Sequence, residues 1–241
     1  MKTAILMCGQ PREMKHCWES FRDHVYSQMP NPDVFIYSSQ YLTVGNEFFD
    51  TFQPKAFKVE DQITFPDLEA RLNKAGYHNR GSTNACLQQI YGWKKVWELK
   101  QAYELETGTE YDLVVRVRPD TIFLRPITLD LFDLEKINNL HSPHDPKFAV
   151  EFVAGPNHLM ETFCGTFDWL DANCEQELLK SNPRIDRFCN RYDCDTIVAT
   201  HLFDHKGVPR AEQKLPPEAW SVHHHYRIWR LHIDGCYERA I

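Results

Sequence analysis

Apolar runs of strand length recur along this chain with helical stretches between them, and that rhythm leaves few folds open. Residues 2–8 (KTAILMC) end at Gly9, and residues 33–37 (DVFIY) lie between Pro30 and Pro32 before and Ser38-Ser39 after. Between these runs Cys17, Trp18, Phe21, Val25 and Met29 repeat at helical spacing over 16–29. Continuous apolar runs of this length suit strands buried on both faces, and strand–helix–strand order is that of a parallel sheet. Residues 55–60 add a third strand and 65–75 a helix. A long helix over 84–107 follows the polar break at 79–83 and is closed by Gly108. The clearest strand spans 112–118 (DLVVRVR) and stops at Pro119-Asp120, with a second short run over 121–124. Further on, 148–154 reads as a strand ending at Gly155-Pro156 and 158–179 as a helix. Another helix starts at Asp193 or Asp195 and ends before Gly207, and an extended tail follows Lys214. The expected fold class is α/β: a mostly parallel central sheet flanked by helices, in a single domain over 1–241.

The 241 residues are enough for one sizeable core, and 13% aromatic content argues against disorder. A net charge of −7 is the wrong balance for a protein whose main partner is nucleic acid, since phosphate neutralisation needs excess basic residues. No apolar run approaches the roughly 18 residues of a membrane span. The N-terminal run is cut short by Gln10-Pro11-Arg12-Glu13, so it reads as a buried strand rather than a signal peptide, and a cytoplasmic protein is expected.

Eight cysteines are scattered through the chain with no Cys-x-x-Cys pair, and reduced thiols are expected. Cys189-x4-Cys194-x6-His201-x3-His205 gathers four candidate zinc ligands, although a helix over this stretch is the competing reading. His223 and His225 share one face of an extended segment, a spacing able to hold a metal. Trp93, Trp97 and Trp169 follow helical spacing and read as core.

Two stretches carry the chemistry. Gly9-Gln10-Pro11-Arg12 follows the first strand, and ligands of open α/β sheets bind beyond the carboxyl ends of strands, so Arg12 is placed for a phosphate. In Arg116-Val117-Arg118-Pro119-Asp120, alternation puts both arginines on one face and Asp120 just past the strand. Such arginines need an anion or a carboxylate partner, and an Asp at that edge suits a divalent cation bridging a diphosphate. An internal ion-pair network is the plainer alternative. Glu151, on a strand leading to Gly155, is a further carboxylate that would face the cleft, and Asp193-Cys194-Asp195 precedes a helix, where N-capping is the plain explanation.

The segments ILMCGQPRE, DVFIYSS, YELETGTEYDLVVRVRPDTIFL and FAVEFVAGPNHLME together resemble small glycosyltransferase-like proteins of the GT-A fold, found in bacterial polysaccharide clusters and large DNA viruses. The resemblance covers roughly residues 3–210, and YDLVVRVRPD is its distinctive motif. It implies a nucleotide-diphosphate-sugar donor site in about 1–120, formed by Gly9, Gln10, Arg12, Arg116, Arg118 and Asp120. An acceptor half and C-terminal tail would fill about 121–241. The implied reaction is transfer of a hexosyl or deoxyhexosyl group to a hydroxyl of a glycan, inverting, with Asp195 or Asp193 as general base and Glu151 as the rival. Where the GT-A pattern has Asp-x-Asp, this chain has Arg118-Pro119-Asp120. A manganese or magnesium ion would then rest on Asp120, with His225 as a further ligand, while Arg118 takes over part of the charge neutralisation. Two other classes stay open: a nucleotidyltransferase-like nucleotide-binding enzyme, and a non-catalytic zinc- or glycan-binding module.

Overall fold

A computed structural model of the chain describes residues 1–9, 14–39, 44–75, 82–123, 125–139, 150–175 and 194–208, with the backbone alone at 15, 16, 195 and 196. The elements are β1 (Thr3–Cys8), α1 (Met14–His24), β2 (Pro32–Ser38), α2 (Asn46–Phe52), β3 (Ala56–Val59), α3 (Pro66–Lys74), α4 (Thr83–Thr107) and β4 (Leu113–Val117). They are followed by β5 (Asn138–Asn139), β6 (Phe152–Pro156), α5 (Asn157–Cys164), α6 (Thr166–Asn173) and α7 (Cys194–Ala199), which continues into a π-helical turn over Thr200–His205.

The strands form one sheet in the order β3-β2-β1-β4-β6-β5. The first four strands in sequence pair in parallel, as the apolar runs predict. Among the described residues the sheet is nevertheless mixed, with three parallel and two antiparallel pairings. β6 runs antiparallel to β4, with Val117 opposite Phe152, and antiparallel to β5 as well. The FVAGP composition of β6 suits either direction, and it is the chain reversal after β4 that decides.

Alternation along the strands sends side chains into two cores. On one face Ile5, Met7, Val34, Ile36, Val115 and Val117 meet Trp18 and Phe21 of α1 and Phe48 and Phe52 of α2. On the other, Leu6, Cys8, Phe35 and Val114 meet α3 through α7, with Trp93, Trp97 and Trp169 buried there as their helical spacing predicts. α4 starts with Ser82 accepting a hydrogen bond from Ala85 N and ends at Gly108 in the left-handed conformation (φ 68°). The helix expected over 158–179 is broken at Gly165 into α5 and α6, and 121–123 carries no strand. Among the described residues no helix is long and apolar enough to cross a membrane.

Both crossovers fix where a ligand can approach. The connection from β1 to β2 runs through α1 on one face, and that from β3 to β4 through α4 on the other. β2 and β4 therefore flank β1 on opposite sides, which makes the carboxyl ends of β1 and β4 the point where the strand order reverses. That is the general ligand position of open α/β sheets.

Candidate functional site

At that reversal β1 ends in Gly9 and β4 in the turn Arg118-Pro119-Asp120-Thr121. The turn is closed by Thr121 N donating to the Arg118 carbonyl at 3.3 Å, with proline at its second position, where a fixed φ suits it. Gly9 has φ +137°, and a Cβ there would lie 3.3 Å from Pro119 Cδ. Only glycine combines that backbone with so close an approach. The segment beyond the turn is tied down by Phe123 N donating to Ser20 Oγ of α1 at 3.1 Å.

The two arginines of the motif meet different fates. Arg118 donates through Nε and Nη2 to the two carboxylate oxygens of Asp120, at 2.9 and 2.7 Å, a bidentate fork that fits the planar guanidinium. Its backbone N–H donates to the Glu151 carbonyl at 3.0 Å, so Glu151, half-buried at the start of β6, lies beside the turn. Arg116 is expected to face the donor beside Arg118, but it is fully enclosed (0% exposed). Its guanidinium stands 5.1 Å from the Trp93 ring centre, and Nη2 donates to the Cys8 carbonyl at 3.3 Å. Nε and Nη1 have no hydrogen-bond partner.

Gly9, Arg118, Asp120 and Glu151 thus come together at one edge. Gln10, Arg12, Asp193, Cys189, His223 and His225 lie outside the described residues. Asp195 is in the first turn of α7, described by its backbone alone. That end of α7 rests on the first turns of α4, where the Cys194 thiol donates to the Cys86 carbonyl at 3.7 Å.

The proposed zinc set does not converge where it is described. Cys194 faces α4, while His201 shares a hydrogen bond of 2.9 Å between Nδ1 and Thr166 Oγ1 and stacks on Trp169 at 4.7 Å. Among the described residues no group of three His, Cys, Asp or Glu side chains is placed to hold a metal ion.

One pair at the same edge was not anticipated. The Tyr37 hydroxyl, at the end of β2, donates to Glu60 Oε2 at 3.1 Å just past β3, and Lys58 pairs with the same carboxylate. The Lys58 contact holds the Glu60 carboxyl below its usual range, while burial and the Glu60 charge push the Tyr37 phenol up. The phenol therefore stays a donor. Its signal in the sequence is only positional: both residues close apolar runs.

The chain matches no family model and no curated protein.

Proposed function

We propose that the chain is a glycosyltransferase that moves a sugar from a nucleotide-diphosphate sugar to a hydroxyl of a glycan acceptor. The observation that supports this most is the meeting of Gly9, the Arg118–Asp120 turn and Glu151 at the carboxyl-edge reversal between β1 and β4. A bare backbone and a guanidinium at such an edge suit a diphosphate, and a carboxylate beside them suits a general base.

In this reading Arg118 meets the negative charge that grows on the departing nucleoside diphosphate as the sugar–phosphate bond breaks. Glu151 takes the proton of the acceptor hydroxyl while its oxygen bonds to the anomeric carbon from the opposite side, giving inversion. Asp195, at the start of α7, is the alternative base. Asp120 holds the Arg118 fork in the plane of the turn. Because both its oxygens are engaged by Arg118, the described residues do not offer a manganese or magnesium ion the set of carboxylates it needs. The first half of the chain then carries the donor and the second half the acceptor.

The test is thermal unfolding with UDP-, GDP- and dTDP-sugars and with nucleoside triphosphates, each with and without manganese or magnesium, on the natural chain and on Arg118→Ala and Glu151→Gln. A ligand that binds only the folded state raises the melting temperature by mass action. One donor class should stabilise the natural chain, lose its effect in Arg118→Ala and keep it in Glu151→Gln, whose release of nucleoside diphosphate should collapse. Stabilisation by nucleoside triphosphates alone would instead support a nucleotidyltransferase, and no response to any nucleotide would defeat both.

A further inference from the structure

Arg116 is hard to explain as a packing residue. It is fully buried within β4, opposite Leu6 of β1, and two of its three nitrogens lack any hydrogen-bond partner. A guanidinium does not shed its proton in a protein, so the charge stays. The titratable neighbours that act on its surroundings are Cys8, Cys164, Arg118 and Lys100. Burial pushes both thiols up against the pull of Arg116, so neither supplies an anion. Arg118 is answered by Asp120 and Lys100 by Glu104, whereas no carboxylate among the described residues pairs with Arg116. Packing alone favours an apolar side chain of similar length here, because buried ions replaced by well-packed hydrophobic residues are often as stable or more so. Strained or locally unfavourable choices of this kind are kept where function needs them.

Its place in the fold says what the charge does. Arg116 lies two residues before Arg118, on the face shared with Cys8, whose thiol is beside it, and Nη2 donates to the carbonyl immediately before Gly9. A charge held in the poorly screened interior acts over several ångströms, and Arg116 is one residue from the carboxyl end of β4 at the β1–β4 reversal. We infer that Arg116 is an electrostatic positioning residue: its unanswered positive charge beneath the edge draws a diphosphate to Gly9 and Arg118 without touching it, while its hydrogen bond holds the end of β1. The inference rests on the donor-site reading for the identity of the ligand, but its electrostatic content applies to any diphosphate bound there.

The experiment uses Arg116→Met, which removes the charge and keeps the bulk, and Arg116→Lys, which keeps the charge. Unfolding midpoints are measured beside calorimetric affinities for inorganic pyrophosphate and for UDP, GDP and dTDP. Arg116→Met should be at least as stable as the natural chain yet bind about tenfold more weakly, the size expected for one buried charge acting at such range. Arg116→Lys should stay within about threefold of the natural affinity. Unchanged affinity in Arg116→Met, equal loss in Arg116→Lys, or an Arg116→Met chain that is clearly less stable or does not fold would each overturn the inference. Arg116-dependent binding of pyrophosphate without binding of any nucleotide would sustain it and sink the transferase reading. Nucleotide binding indifferent to Arg116 would do the reverse, and binding of neither would end both.

Discussion

Arg118 and Asp120 close a two-point fork across the turn that ends β4, with their side chains 17% and 12% exposed. Removing either partner breaks the fork around a partly desolvated group, a larger effect than for a surface pair. Asp120→Ala and Arg118→Ala should each lower stability by about 1–3 kcal/mol. The double variant should be less damaging than the sum, with a coupling of about 1–2 kcal/mol in a urea-denaturation cycle. Additive losses would mean that the fork contributes nothing as a pair.

Gly9 offers a separate probe of the same edge. Its φ of +137° is a backbone state that side chains rarely adopt, and the approach to Pro119 is tight at 3.3 Å. Gly9→Ala should lower stability by about 1–3 kcal/mol, the range for strained backbone. Pairing it with Pro119→Ala relieves the contact but not the dihedral, so most of the loss should remain in the double variant. Full recovery there would show that crowding, rather than the backbone, governs this turn.

Two enclosed cations, Lys100 and Arg116, are expected to respond differently to loss of their charge. Lys100 is also 0% exposed, but it pairs with Glu104 at 2.8 Å, bonds Asn157 and stands 4.0 Å from the Trp97 ring centre. Lys100→Met strands the Glu104 carboxylate, itself mostly covered, and should cost about 2–4 kcal/mol by denaturant titration. Arg116→Met strands no carboxylate and should cost nothing. A loss of similar size in both would remove the distinction between an answered and an unanswered buried charge.

The strands buried on both faces were legible because they read as unbroken apolar runs: β1 and β4 lie within the segments 2–8 and 112–118, and β2 overruns 33–37 by one residue at each end. α4 was legible through its ends, Ser82 and Gly108. The direction of β6 was not, since pairing sense depends on chain reversal rather than on side chains. α2 escaped notice because one short element with Phe48 and Phe52 inward shows too few turns for a period. At the site, alternation predicts one face for Arg116 and Arg118. It could not say that α4 and α5 close over Arg116 while Arg118 folds back on Asp120, because a face is a local property and its cover comes from distant chain. Tyr37 and Glu60, 23 residues apart, are a contact of the same kind.

His201 makes the acid response of the fold a measurable quantity. Its ring is 2% exposed, stacked on Trp169 and bonded to Thr166. Burial, aided by the charges of Lys206 and His205, pulls its pKa from 6.5 down to about 3. Between those values the unfolded chain binds a proton that the folded chain refuses, so stability is complete above pH 6.5 and declines as the pH falls toward 3. One such proton steepens the decline by up to about 1.4 kcal/mol per pH unit. His201→Gln retains a hydrogen-bonding partner for Thr166 and has no proton to refuse. Urea denaturation of both chains from pH 7.5 down to 4.5 should therefore show the natural protein losing stability faster than His201→Gln. The two curves should converge in slope above pH 7. Parallel curves over the whole range would mean that His201 is protonated in the folded state, and that the Trp169 stack tolerates an imidazolium.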